Sequence, residues 1–265
     1  MSEPVQLAEH SFGVWELILN RPERHNAFDE VLMAAMGKRL EQAAHQPGLR
    51  LLVLRGTGKH FSAGADLGWM QRAATLDKTR NLTDARQLAQ LLRQLDTFPH
   101  PTLALVQGVA YGGALGLVAC CDLVVAAADS RFCLSEVRLG LIPATISPYV
   151  LRALGPRQAR RYMLTAEIIY AAAAERLGLV HLLATPEQRL DEAARPFIQA
   201  IIRNGPHALT AAKQLVRDFA GQAIDETLID SSARRLARLR IGAEAREGLD
   251  AFLNKRPPAW EDKDV

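Results

Sequence analysis

Two glycine-containing turns and one glutamate supply residue types suited to holding a carbonyl oxygen and moving protons beside it. The first turn is KHFSAGADLGWM (Lys59 to Met70), where Ser62, Ala63, Gly64 and Ala65 leave backbone N–H groups approachable and a helix begins at Asp66 or just after. The second is GVAYGGALGLVACCD (Gly108 to Asp122), with a helix expected immediately after Gly112-Gly113. The first N–H groups of a helix have no intrahelical acceptor and form an anion site. Two such turns, each following a strand of one sheet, would present two donors to one developing oxyanion. Each turn alone also reads as a simple tight turn. The glutamate is Glu136, within FCLSEVRLGLIPATIS (Phe132 to Ser147), a segment apolar on both sides of it. Partial burial would raise its pKa and let it exchange protons near neutrality. The competing reading is a structural ion pair with Arg131 or Arg138.

Other chemistries fit poorly. GVAYGG lacks the GxGxxG dinucleotide pattern, and GTGKHFS (Gly56 to Ser62) lacks the spacer and ending of a phosphate P-loop. His25, His60 and His100 have no matched Asp or Ser in a triad pattern. Cys120, Cys121 and Cys133 match neither a CxxC pair nor a zinc framework and read as buried, reduced thiols, so no metal is expected.

The elements that must position these residues follow from the apolar pattern. VWELILN (Val14 to Asn20), LRLLVLRG (Leu49 to Gly56), TLALVQG (Thr102 to Gly108) and DLVVAA (Asp122 to Ala127) read as strands. Asp29 to His45 and Thr83 to Leu95 read as helices between them, an alternation that points to an α/β fold. After about Gly155 the pattern becomes helical, over Arg157 to Leu164, Ala171 to Leu177, Leu190 to Asn204, Ala208 to Phe219 and Glu226 to Leu239. A division near residue 190 separates a core, 1–190, from a helical region, 191–265. With 265 residues, 49% of them hydrophobic, the chain can bury a full core. A formal charge of +3 spread along the sequence is short of a nucleic-acid-binding patch, although arginines at 152–161 and 234–246 could support attachment to RNA. The polar start MSEPVQLAEH, and the glycines and Asp122 in the longest apolar stretch, give the expectation of a cytoplasmic protein with no membrane span.

LNRPERHNAF (Leu19 to Phe28), FSAGADL (Phe61 to Leu67), GVAYGGALGLVACCD, FCLSEVRLGLIP and the tail LDAFLNKRPPAW (Leu249 to Trp260) together resemble the enoyl-CoA hydratase/isomerase, or crotonase, superfamily over nearly the whole chain. SEVRLGLIPATISPYV and ADLGWMQ look most like the methylglutaconyl-CoA and isohexenylglutaconyl-CoA hydratases of leucine or acyclic terpene breakdown. The resemblance implies a spiral of repeated ββα units with a helical C-terminal region used for oligomerisation, assembled as a trimer or a pair of trimers. It implies an acyl-CoA thioester as substrate, with no cofactor beyond the coenzyme A that belongs to it. The oxyanion hole would be the N–H groups of Ala65 and Gly113, with Glu136 as acid/base. Coenzyme A would contact Arg24, His25 and the segment Ala63 to Leu67, which includes Asp66, while Phe252 and Lys255 would reach a neighbouring subunit's site.

One departure carries information. Hydratases of this superfamily typically place a second glutamate in the helix after the glycine turn, where this sequence has Gly116. The expectation is that glycine there opens room for a branched, acid-bearing acyl chain, with Arg72, Lys78 and Arg80 as speculative partners for its distal carboxylate. A lone carboxylate at Glu136 also fits an enoyl-CoA isomerase.

Overall fold

The structure is a computed structural model that describes residues 3–261. In chain order the elements are β1 (Val5–Glu9), β2 (Val14–Leu19), α1 (Glu30–Ala44), β3 (Leu51–Gly56), α2 (Leu67–Ala73), α3 (Lys78–Asp96), β4 (Thr102–Val106) and β5 (Val109–Tyr111). They continue with α4 (Gly113–Cys120), β6 (Leu123–Ala127), β7 (Arg131–Cys133), α5 (Ser147–Thr165), β8 (Ile169–Tyr170), α6 (Ala171–Arg176) and β9 (Leu182–Ala184). The last four are α7 (Leu190–Arg203), α8 (Pro206–Phe219), α9 (Glu226–Arg240) and α10 (Ala243–Leu253).

A six-stranded sheet runs in the order β1-β2-β3-β4-β6-β9, parallel throughout except for the β1–β2 pair, and a smaller sheet has the order β5-β7-β8. The central strands read as unbroken apolar runs because both sheet faces are covered. Leu52 and Leu54 of β3 and Ala104 and Val106 of β4 join the core formed with α1, α3, α4 and α5. The alternate residues, Leu51, Val53, Leu103 and Leu105, meet Ala193, Ala194 and Ile201 of α7 on the other face. A division at residue 190 therefore falls at the start of a helix that completes the core. The change of character comes after α7: α8 and α9 contain no buried residue, and α10 buries only Ala251.

Three further boundaries differ from the sequence reading. β5 intervenes between β4 and α4, because three residues suffice to pair with β7. α3 starts at Lys78 rather than Thr83, since Asp77 caps it by accepting from the Arg80 N–H. α5 starts at Ser147 and passes through a kink at Gly155, whose positive φ of 72° joins two helical stretches. Among the described residues no helix is long and apolar enough to cross a membrane.

Candidate active site

Both glycine turns leave neighbouring parallel strands, β3 and β4, at their C-terminal ends, where open α/β sheets bind ligands. They lie against one another. Ser62 bridges to Ala110, the Ser62 N–H donates to the Val109 carbonyl at 3.1 Å, and the Tyr111 N–H donates to the Ser62 carbonyl at 3.3 Å. Gly64, at φ 93°, is required here: a β-carbon would lie 2.8 Å from the Tyr111 carbonyl oxygen.

A third segment fixes the first turn. Phe28 bridges to Ala65, its N–H donating to the Gly64 carbonyl at 2.7 Å and its carbonyl accepting from the Asp66 N–H at 2.8 Å. The Phe28 ring lies 3.2 Å from the point where a β-carbon on Gly113 would stand, so one residue touches both turns. Its position depends on Asn26, which is fully buried in the left-handed region at φ 54°. The Asn26 side chain accepts from the Arg21 N–H at 2.8 Å and donates to the Thr57 and His60 carbonyls at 2.9 and 3.0 Å. Asp29 caps α1 through the Leu32 N–H at 2.9 Å and pairs with Arg21 at 2.6 Å.

These contacts leave two amides available. Ala65 is exposed, Gly113 is half-buried as the first residue of α4, and among the described residues neither N–H donates to a protein acceptor. Gly113 follows Gly112, which has φ 52° and ψ −122°, a conformation that L side chains avoid.

Glu136 closes the group. The Gly112 N–H donates to the Cys133 carbonyl at 2.9 Å, tying the start of α4 to the end of β7, and the chain then turns through a 3-10 helix over Glu136–Leu139. The glutamate's Oε1 lies 3.2 Å from the point where a β-carbon on Gly112 would stand, beside the N-terminus of α4. Its Oε2 is buried with no hydrogen-bond partner among the described residues. Neither arginine weighed as an ion-pair partner takes that role: Arg138 donates to the Ala166 carbonyl, and among the described residues Arg131 forms no salt bridge. Burial pushes the Glu136 carboxyl above its ordinary value, only partly opposed by a backbone hydrogen bond. Two free amides with a protonatable carboxylate beside them can polarise a carbonyl and transfer a proton to or from the adjacent carbon.

The remaining residues divide into neighbours of this centre and residues away from it. Ala63 donates to the His25 carbonyl at 2.9 Å, and the His25 and His60 rings stand 5.1 Å apart. Burial, and then His25, hold His60 below the ordinary histidine value. Arg24 reaches Asp66 at 3.2 Å. Asp66, itself buried, caps α2 through the Trp69 N–H at 3.0 Å, and that bond lowers its pKa. Leu67 is 77% exposed at the rim. Phe252 and Lys255 are exposed, and among the described residues no hydrogen bond or ion pair joins either to the two turns. The segment that follows them packs at the opposite end of the sheet, where the Trp260 carbonyl accepts from Arg50 just before β3.

Gly116 overturns an expectation. It is buried, and a β-carbon there would stand 2.3 Å from Ile146 Cγ2, 2.8 Å from Ile146 Cβ and 3.3 Å from Leu92 Cδ2. The space that a glutamate would claim is packed with hydrocarbon, so glycine opens no pocket at this point. Arg72 is likewise engaged, donating to both Glu30 carboxylate oxygens at 2.8 and 3.0 Å, and Arg80 lies near Asp77 at 3.9 Å. Asn26, Phe28 and Ile146 carry no sequence signal of their roles beyond the turn residues around Asn26.

Cys120 and Cys133 are buried and Cys121 half-buried, all as free thiols. Burial raises all three, Cys121 to about 12. A cavity of about 910 Å³ opens at the far end of the sheet. Lys213 in its lining is tied to Asp122 at 2.7 Å and to the His100 carbonyl at 2.9 Å.

The fold and this grouping define an α/β enzyme built to act on an acyl group. The model of the enoyl-CoA hydratase/isomerase family matches residues 9–263. An enoyl-CoA hydratase from Shewanella pealeana superposes with a TM-score of 0.93 at 46% identity, over 97% of this chain and 96% of that one. The 2,3-dehydroadipyl-CoA hydratase of Escherichia coli is 35% identical over 92% of this chain and 94% of its own length. A putative enoyl-CoA hydratase of Thermus thermophilus is 34% identical over 92% and 96%. The chain belongs to the enoyl-CoA hydratase/isomerase family, has the crotonase fold, and is an enzyme of the hydro-lyase type.

Proposed function

We propose that this enzyme adds water across the 2,3-double bond of an enoyl-CoA whose acyl chain is branched and carries a distal carboxylate, such as 3-methylglutaconyl-CoA or isohexenylglutaconyl-CoA. The observation that carries the hydratase chemistry is the Glu136 carboxyl, half-buried and, among the described residues, without a cationic partner, against the start of α4. The thioester carbonyl oxygen sits between the Ala65 and Gly113 N–H groups, which stabilise the enolate as electrons leave the double bond. Glu136, held above the ordinary carboxylate range by burial, supplies the proton at C2. The reaction is non-redox and uses no cofactor beyond the coenzyme A of the substrate.

Arg24 and His25, with the segment Ala63 to Leu67, line the path for coenzyme A, and Asp66 serves that path by holding the turn and the Arg24 side chain. Support for an acidic acyl chain comes from the dicarboxylic substrate that names the Escherichia coli relative. Second and third copies of the chain cover α8, α9 and α10, where Val216, Ile229, Leu236 and Phe252 stand exposed, giving a trimer or a pair of trimers. Attachment to RNA is disfavoured because Arg152, Arg161, Arg234 and Arg235 are paired with Asp96, Glu167, Asp230 and Asp218.

Initial rates on crotonyl-CoA and the two 3-substituted glutaconyl-CoA thioesters test the proposal. Higher kcat/KM on a glutaconyl substrate supports it, and preference for crotonyl-CoA removes the acidic chain. Double-bond migration without water addition establishes the isomerase instead, a reading favoured by the hydrocarbon packed where a second carboxylate would stand.

A further inference from the structure

Helix α3 runs alongside α4 in the same direction: Leu88 Cδ2 lies 3.9 Å from the β-carbon position of Gly113, and Leu92 Cδ2 lies 3.3 Å from that of Gly116. Residues four apart share a helix face. Leu88 and Leu92 therefore define a stripe on α3 directed at α4, and the next position toward the N-terminus is Asp84. The burial pattern agrees, since Asp84 is half-buried while residues 81–83 and 85–87 are exposed. One turn back along α3 is about 5–6 Å, which carries the stripe past the Gly113 end of α4 to the side from which its free N–H groups are approached.

A carboxylate at that position is unexpected for packing, because the rest of the stripe (Leu88, Leu91, Leu92, Leu95) is apolar. Among the described residues Asp84 has no ion pair or hydrogen bond. The direction of the stripe offers a reason: continued by one turn it leads toward the N-terminus of α4, which favours negative charge and against which Glu136 lies. Gly116, under Ile146, supplies no second carboxylate to the site.

We propose that Asp84 is the second acid/base of the site, taking a proton from the water that adds to C3 while Glu136 gives one to C2. This rests on the hydratase reading above. One O–H bond of water breaks, its proton passing to the Asp84 carboxylate, and the oxygen forms the bond to C3. The π electrons move to C2 through the enolate and take the Glu136 proton. Transfer of the proton from Asp84 to solvent, and from solvent to Glu136, resets both groups.

The test pairs two measurements on each variant: hydration of the best enoyl-CoA substrate, and exchange of the C2 hydrogens of butyryl-CoA in deuterated water. Exchange uses the amides and Glu136 but adds no water. Asp84→Asn should lower the kcat of hydration by ~10²-fold or more, with little change in KM, and raise the ratio of exchange to hydration by a similar factor. Asp84→Glu should restore much of the hydration, and Glu136→Gln should lose both reactions. Hydration by Asp84→Asn at the native rate overturns the proposal. So does an equal fall of both reactions, which would make Asp84 structural. A wild-type enzyme that exchanges C2 hydrogens but hydrates none of the enoyl-CoA substrates would overturn the hydratase reading itself.

Discussion

Replacing Gly116 by alanine adds a single carbon at a place where the structure gives it no room. Carbon atoms in contact settle at about 3.5–4.0 Å, and the new atom would stand 2.3 Å from Ile146 Cγ2 and 2.8 Å from Ile146 Cβ. Both contacts involve the stem of a β-branched residue that is itself 1% exposed, so neither can be relieved by moving the end of a flexible chain. Overpacking of this kind costs about 1–3 kcal/mol, and alanine returns about 0.5–1 kcal/mol through backbone entropy in a helix. The net expectation is a loss of about 0–2.5 kcal/mol, seen as a lower denaturant midpoint at fixed protein concentration. Ile146→Ala alone should cost about 2–5 kcal/mol through the cavity it leaves. The two costs should not add, since deleting Ile146 Cγ2 makes the space that the new methyl fills. A coupling of about 0.5–3 kcal/mol in favour of the double variant is expected. Strict additivity, or a Gly116→Ala variant more stable than the native protein, would refute the packing argument. The same geometry predicts that Gly116→Glu fails to add a catalytic carboxylate and destabilises the fold unless Ile146 is truncated with it.

Glu136→Gln should lower kcat by ~10²–10⁴-fold while leaving KM for the thioester nearly unchanged, measured by steady-state hydration. It should also stabilise the protein at neutral pH, because a carboxyl whose folded pKa is raised penalises the folded state once it ionises. That gain should be full above the raised pKa and vanish below about pH 4, where the carboxyl is protonated in both states, a trend read from urea midpoints across pH. Gly113→Pro removes one donor at the first helical position, where proline is otherwise tolerated, and should cost ~10²–10³ in kcat; native turnover by a folded variant rules out that N–H as a donor. Asn26→Ala deletes three part-buried hydrogen bonds and leaves the left-handed position at φ 54° without the side-chain amide that held it. Calorimetry should show a destabilisation of about 1–3 kcal/mol for the groups left unpaired, and activity should fall with it as Ala65 loses its support.

Much of the scaffold was legible because buried parallel strands and amphipathic helices write themselves into local patterns. The four strands read from apolar runs, and α1 with its Asp29 cap, fall within two residues of their structural bounds. The short strands β5, β7, β8 and β9, of two or three residues each, have no period to detect. They exist because a partner lies alongside, as Ser62 does for Ala110. The first half of α5 was hidden by Gly155 and Pro156, which read as a break and act as a kink.

The site divides along the same line between what a residue is and what lies beside it. Small residues at Ala65 and Gly113 and a carboxyl at Glu136 can be picked out by type, because approachable amides and a protonatable group are properties of the residues themselves. What Gly116 does cannot, since a missing side chain can mean open space or a neighbour's occupation of it, and the two have opposite consequences for substrate. Ile146 is thirty positions along the chain, and only the packing of the α5 entrance over α4 shows that it fills the gap. The same reasoning sets the limits of specificity. If the wall under Gly116 is hydrocarbon, an acidic acyl chain cannot find its counter-charge there, and Arg72, spoken for by Glu30, is a poor donor from the rim. If the chain assembles as proposed, selection of a carboxylate-bearing substrate would then depend on groups that a second chain brings to the site, so dissociation should weaken the preference for glutaconyl over crotonyl thioesters more than it weakens turnover itself. Equal loss of both on dilution would place the determinant within one chain.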